Sequence, residues 1–286
     1  MASLNAASAS ANRAAEPVPE AAERFGSLTP DGRKARRRWL GVLPPLVFAL
    51  AVLGVWQLLT AGGVVAPYFL PEPAEVADAF WRSLENGVLW HYTRMTLTES
   101  LLGFALGAAV AVPLGYGIAR SRLLARSIEP YLAASQAMPA VAVAPILVLW
   151  LGYGLKAIVV LCALIVFFPT VVNTILGIRT LDRSVLDAAR VDGARWWPML
   201  WRIELPLALP AIMAGLRTSL TLSVTGAVVG EFVLGDRGLG GLLAIARGNF
   251  DTPLAFATLL MLMLLAAGLY LAGLLVERLV LRGEGF

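Results

Sequence analysis

The chain has 286 residues, 58% of them hydrophobic and only 15% charged, with a mean hydropathy of +0.75, whereas soluble domains are about 45–50% apolar and about 25% charged. That balance excludes an ordinary water-soluble enzyme, and the apolar residues gather in runs of about 20, the length that crosses ~30 Å of hydrocarbon. The expectation is an all-α polytopic membrane protein. Its single cysteine, Cys162, lies inside one such run and allows neither an internal disulfide nor a cysteine-based metal cluster. The net charge of +4 does not point to nucleic acid, because the basic residues crowd beside apolar runs, as they do where a membrane protein sets its orientation.

In chain order, residues 1–38 are rich in Ala, Glu, Ser and Pro and end in Arg33, Lys34, Arg36, Arg37 and Arg38. They read as a disordered cytoplasmic tail. The first apolar run begins only at Trp39 and continues to about Thr60, too late for a secretory signal, so it reads as an uncleaved span with Pro44 and Pro45 in its first turns. Five further stretches follow at about Met95–Ala119, Tyr131–Leu151, Leu155–Ile178, Leu205–Leu234 and Pro253–Val280. The expectation is therefore about six transmembrane helices in a membrane domain over 39–280, with a short tail at 281–286. Of the 23 Lys+Arg, seven precede the first span, three lie in 120–126, five in 179–202 and two after 277, while the loops on the other side hold five. This bias places both termini in the cytoplasm of a multi-pass inner-membrane protein.

Gly103, Gly107, Ala111 and Gly115 repeat every four residues along the second span, a flat stripe that admits a neighbouring helix. Pro113, Pro139, Pro145, Pro169 and Pro210 each remove a helix hydrogen bond, so kinks or breaks are expected there.

The loop at 179–204 is too regular to be a linker. Leu181, Val185, Leu186 and Ala189 share one apolar face, with Asp182, Arg183, Asp187, Arg190 and Asp192 on the polar side, which predicts a short amphipathic helix. Gly193 suits its C-terminus, and Trp196, Trp197, Leu200 and Trp201 start a second apolar stripe, closed by Pro206 and Pro210. Two readings are open: an interfacial hairpin held by its tryptophans against lipid headgroups, or a docking element gripped by another subunit.

The string DAARVDGARWWPMLWRIELP at 187–206, with Asp187-Ala188-Ala189, Gly193 and Leu205-Pro206 at their joint spacing, resembles the EAA loop of ATP-binding-cassette (ABC) importer permeases. LPEPAEV at 70–76, PLGYGIARS at 113–121, MPAVAVAPILVLWLGYGLKA at 138–157, FFPTVVNTILGIR at 167–179 and GEFVLGDRGLGGLL at 230–243 are similar to the nitrate, sulfonate and taurine branch of that family. The resemblance implies a type I importer permease fold in which 179–204 is the cytoplasmic coupling loop. Asp187 then falls on the family's first acidic position, Ala188 and Ala189 on its paired alanines and Gly193 on its glycine, with Arg190, Ala194, Leu205 and Pro206 completing the ATPase-coupling set. Asp187 departs from the usual Glu by one methylene. The implied partners are two copies of a cytoplasmic ATP-binding subunit, a second permease copy, an extracytoplasmic substrate-binding protein and the lipid bilayer. The chain has no G-x-x-x-x-G-K-[ST] phosphate loop, so it is expected to be a transport subunit without enzyme activity or cofactor of its own, ATP and Mg being used by the partner ATPase. GEFV and NFDTP, at 230–233 and 249–253, resemble relatives that carry riboflavin or pyrimidine precursors of thiamine.

Three ionisable groups fall inside spans: Glu99, Arg217 and Glu231, each functional or structurally paired by expectation. Arg217 reads as an ion pair or snorkelling head group, or as a charge that attracts an anionic solute. Glu231 reads as a structural group that fixes the following loop, or as a path residue. Thr221 and Thr225 continue from Arg217 at helical spacing, and with Ser135, Gln136, Thr170, Asn173 and Thr174 they form either helix-to-helix hydrogen bonds or polar walls of a translocation path. GLGG at 238–241 has no preceding strand and reads as a tight exposed turn, and His91 as an exposed loop residue. A self-contained secondary transporter or channel is the alternative function, but it lacks acids at the middle of a span and leaves the 179–204 loop unexplained. A membrane hydrolase has no intramembrane histidine to activate a serine.

Overall fold

The computed structural model describes residues 31–66, 68–135, 139–234 and 237–283. The chain divides into two units, residues 1–55 and 56–286. The boundary falls within helix α1 (Asp31–Ala61), which opens ahead of the expected Trp39 and so carries Pro44 and Pro45 in its interior rather than in its first turns. None of its apolar window Leu43–Ala61 is buried.

The second unit begins at Trp56, in the last turns of α1. The Trp56 indole N–H donates to the Pro71 carbonyl at 2.9 Å, and α2 (Pro73–Glu85) starts in a capping box between Glu72 and Glu75. The long helices are α3 (Val88–Arg120), α6 (Leu155–Arg179), α9 (Leu205–Leu234) and α11 (Thr252–Gly283). Between them lie α4 (Arg122–Ser135), α5 (Ala140–Leu151), α7 (Arg183–Val191), α8 (Trp196–Met199) and α10 (Gly238–Gly248). Five helical stretches among the described residues are long and apolar enough to cross a membrane. The expected third span, Tyr131–Leu151, is not one helix: α4 ends at Ser135 and α5 opens after Pro139, which is its N-cap. Pro139 itself is extended, at φ −69° and ψ 116°, and so stands outside the helix it precedes.

Helices α3 and α6 run in the same direction with their backbones almost touching. A Cβ placed on Gly103 would sit 2.2 Å from the Cys162 Cβ, and one on Gly107 would sit 2.7 Å from the Ala163 carbonyl oxygen. The small-residue stripe therefore does what its spacing implies, letting van der Waals packing act where lipid offers no hydrophobic force between helices. α9 runs antiparallel to α6, matching Gly177 with Ala208 and Gly230 with Ile158. α11 returns along α9, so the C-terminal ends of α3, α6 and α11 share one end of the bundle with α7, and α10 lies at the other. The helices continue through Pro113, Pro169 and Pro210. The breaks allowed for there do not occur.

Candidate functional site

The amphipathic helix predicted in the 179–204 loop is α7. The Asp182 carboxylate caps it, accepting the Ser184 N–H at 2.9 Å, and that hydrogen bond holds the Asp182 carboxyl below its usual pKa because it favours the charged form. At the other end the chain turns through Gly193 at φ +82°, a left-handed conformation that costs a side chain dearly. The Gly193 N–H donates to the Arg190 carbonyl at 3.1 Å and the Ala194 N–H to the Ala189 carbonyl at 3.0 Å, the two bonds of a Schellman closure. Ala189, Arg190, Gly193 and Ala194 thus terminate the helix together. Asp187 pairs with Arg190 on its own helix at 2.6 Å, and no residue of α7 is buried.

The second half of the loop departs from expectation. α8, a π-helical turn at Leu200–Glu204 and α9 form one continuous helix from Trp196 to Leu234, so Pro206 and Pro210 do not close it. Pro206 lacks the N–H its turn requires and crowds the carbonyl four residues back; the wider π turn, in which the Leu205 N–H reaches the Leu200 carbonyl, takes up the misfit. Within this turn Glu204 is only 1% exposed. It accepts from the Arg120 guanidinium at 2.9 Å and from the Tyr116 hydroxyl at 2.8 Å. This clamp between the loop and the end of α3 was not singled out from sequence. Its only signal there is one carboxylate placed directly before an apolar span.

A family model described as "binding-protein-dependent transport system inner membrane component" matches residues 111–282. The chain belongs to that family of ABC importer permeases. It is 45% identical over 250 residues to the riboflavin transport system permease protein RibX of Chloroflexus aurantiacus, covering 87% of this chain and 92% of the relative. It is 31% identical to the aliphatic sulfonates permease SsuC of Escherichia coli, over 86% of this chain and 94% of that one. It is also 31% identical to the formylaminopyrimidine permease ThiX of Halalkalibacterium halodurans, over 80% and 91%. An inward-facing structure of the MetNI methionine ABC transporter aligns with a TM-score of 0.61 at 18% identity, covering 67% of this chain and 95% of that one, which establishes the type I importer fold. The permease is a multi-pass inner-membrane transport subunit, not an enzyme, and its ATPase is a separate chain.

Inside this permease most of the polar residues picked out for a path bond back to carbonyls of their own helix, and Thr170 reaches a neighbouring one. Thr170 donates to the Ser219 hydroxyl at 2.8 Å, both side chains being buried, and the Asn173 amide donates to the Pro169 carbonyl at 2.8 Å. Asn173 also packs on α9, where a Cβ on Gly215 would lie 2.5 Å away. Thr174 bonds back to the Thr170 carbonyl, Thr221 to that of Arg217 and Ser135 to that of Leu132. Thr225 is exposed, and Gln136 lies outside the described residues. The Arg217 guanidinium pairs with Glu277 of α11 at 2.8 Å and lies 5.2 Å from the Tyr270 ring centre, so its charge is neutralised within the bundle.

At the opposite end, GLGG is not an exposed turn but the buried first turn of α10. The Gly240 N–H donates to Glu231 at 2.7 Å and the Leu239 N–H to the Thr96 hydroxyl at 2.8 Å. Two unsatisfied amides at the helix start are thus capped from α9 and α3. Gly238 has φ +63°, and a Cβ there would lie 1.9 Å from the Glu231 carboxylate. Arg237, which precedes this turn, pairs with Glu99 at 3.1 Å. Glu231, also named for the path, here holds the first turn of α10 through the Gly240 amide. His91 is exposed but sits on α3 rather than in a loop.

Proposed function

We propose that α7 is the coupling helix of this permease, seated in a cytoplasmic ATPase that binds ATP and Mg, and that two permease copies pair over two ATPase copies with all termini cytoplasmic. The observation that carries this reading is an unburied helix closed firmly at both ends. The Asp182 cap and the Gly193 closure make α7 rigid, no part of it is buried, and the Glu204 clamp joins its trailing segment to α3. A force on α7 then passes into α3 and α9 instead of dissipating in a loop. ATP binds preferentially to the closed ATPase pair, and this differential affinity drives the two coupling helices together and biases the spans outward. Hydrolysis resets them.

For the solute, the 45% identity to a riboflavin permease and the relation to a formylaminopyrimidine permease support a heteroaromatic compound over a sulfonate. The pairing of Arg217 with Glu277 removes the charge that would have favoured an anion. Asp187, Ala188, Arg190, Leu205 and Pro206 are assigned to the ATPase side, and Thr170, Asn173, Thr221, Thr225, Ser135 and Gln136 remain candidates for the path.

The test is affinity capture of the tagged permease from its native membrane beside a Gly193→Val variant. The expected result is a phosphate-loop ATPase and a binding protein with the native chain, and loss of the ATPase with the variant. A native chain that comes down alone and transports in vesicles without ATP overturns the reading in favour of a self-contained transporter.

A further inference from the structure

Three of the chain's eight tryptophans stand together on the trailing half of the coupling loop. Trp196 and Trp197 stack with centroids 4.4 Å apart, and Trp197 and Trp201 continue the stack at 6.4 Å, both pairs tilted by 23°. Indoles of this kind belong in a core, yet these are 65%, 52% and 60% exposed. With Pro198 and Arg202, Trp197 and Trp201 line an open groove of about 430 Å³. Met199 and Glu204, on the same short stretch, are buried, so the helix has one face on the protein and an aromatic face on its surroundings.

We infer that this tryptophan ladder, flanked by Arg195 and Arg202, is a membrane anchor that binds the headgroup layer of anionic phospholipids at the α7 end of the bundle. Depth is the first argument. The continuous helix Trp196–Leu234 has 39 residues, about 58 Å at 1.5 Å per residue, well beyond the ~30 Å of hydrocarbon. The ion pair of Arg120 with Glu204 and the exposed Arg202 stand at the ladder's level, which places that level outside the hydrocarbon. The first turns of the helix thus fall in the interface, where an indole is favoured for its apolar body and polar N–H. Charge is the second argument. Arg195 and Arg202 flank the ladder, are exposed and make no ion pair among the described residues, as is true also of Arg122, Arg126 and Arg183, whereas Arg120, Arg179 and Arg190 are paired. Two free cations beside apolar surface suit an anionic headgroup. The loop therefore divides its work: α7 is left for a protein partner, and the ladder holds the base of α9 at a set depth while α7 moves. The cytoplasmic leaflet as the site follows from the orientation proposed above, whereas headgroup binding does not depend on it.

The test uses the purified permease in nanodiscs, with and without its ATPase, and lipids brominated near the headgroup as quenchers of indole fluorescence. The ladder's own signal is the difference between the native chain and a Trp196→Phe, Trp197→Phe, Trp201→Phe variant, which keeps apolar rings and so the fold. That signal is expected to be quenched more by headgroup-proximal than by mid-chain bromine, and more by brominated phosphatidylglycerol than by brominated phosphatidylcholine at equal content. Arg195→Gln with Arg202→Gln should reduce the phosphatidylglycerol preference about fivefold for each charge removed. A difference signal that neither lipid quenches, or quenching without preference for phosphatidylglycerol, overturns the proposal. Quenching that disappears when the ATPase is added assigns the ladder to the ATPase instead. Failure of the coupling reading is separate, since it shows as absent ATPase capture with lipid quenching intact.

Discussion

Arg120 and Glu204 are 84 residues apart in the chain and 2.9 Å apart in the fold. Through this pair, reinforced by Tyr116, the segment that emerges from the 179–204 loop is tied to the end of α3. Glu204→Ala should cost about 1.5–3 kcal/mol, the worth of a hydrogen bond to a charged group, with Arg120 at 39% exposure recovering part of its solvation. The larger effect should be on coupling: ATP hydrolysis by the assembled complex persists while transport per ATP falls. Measuring the two rates together in proteoliposomes checks this, and an unchanged ratio refutes the role of the clamp.

Gly193 sits at φ +82° with open space around it, so the cost of a side chain there is backbone strain rather than collision. Gly193→Val should destabilise the helix closure by about 1–3 kcal/mol, whereas Gly193→Asn, which tolerates the left-handed region, should keep ATPase capture close to native. Equal capture by both variants would show that the conformation of this residue is immaterial.

In α10 the constraint is contact. Gly240→Ala would bring a Cβ within 2.6 Å of the Val228 carbonyl oxygen and 2.9 Å of the Glu231 Cβ, and overpacking of that kind costs about 1–3 kcal/mol. Glu231→Gln keeps the acceptor for the Gly240 N–H and should be the milder change. Thermal unfolding in detergent, followed by exposure of the buried Cys162 thiol, ranks the two.

Arg217 and Glu277 form a half-buried pair at 2.8 Å. Arg217→Met alone leaves a carboxylate unpaired among apolar neighbours and should destabilise the bundle, while Arg217→Met with Glu277→Leu should recover most of the loss. A double-mutant cycle should return a coupling of about 0.5–3 kcal/mol. Solute uptake that stays low in the stable double variant would instead place Arg217 on the path.

The Asp182 cap responds to pH in a defined direction. Its folded pKa is depressed by the Ser184 N–H, so its contribution to α7 is complete above the ordinary aspartate value of about 3.9 and is lost as pH falls through the depressed value. The protection factors of the Ser184 to Leu186 amides, relative to intrinsic exchange at each pH, should therefore hold through the neutral range and fall only at the acid end. Asp182→Asn, which retains a cap oxygen, should flatten that dependence.

Much of this was legible because it rests on local order. The spacing of Leu181, Val185, Leu186 and Ala189 and the glycine after them specify α7 and its closure, since a helix face and a left-handed stop are properties of neighbouring residues. The stripe from Gly103 to Gly115 announced a close helix contact for the same reason, although not that α6 fills it. Length and hydropathy were enough for the membrane class, because lipid imposes one rule on every span.

The tertiary structure decided which charges meet. Arg217 meets Glu277 only because α11 packs along α9, and the Glu231 carboxylate meets the Gly240 amide only because α10 folds back onto α9. Nothing near Glu204 in sequence identifies Arg120 as its partner, and the continuity of the helix from Trp196 depends on a π turn that no residue pattern signals. Pairings of this kind depend on how whole helices pack side by side, and it is that packing, rather than local preference, that determines which buried polar groups find partners.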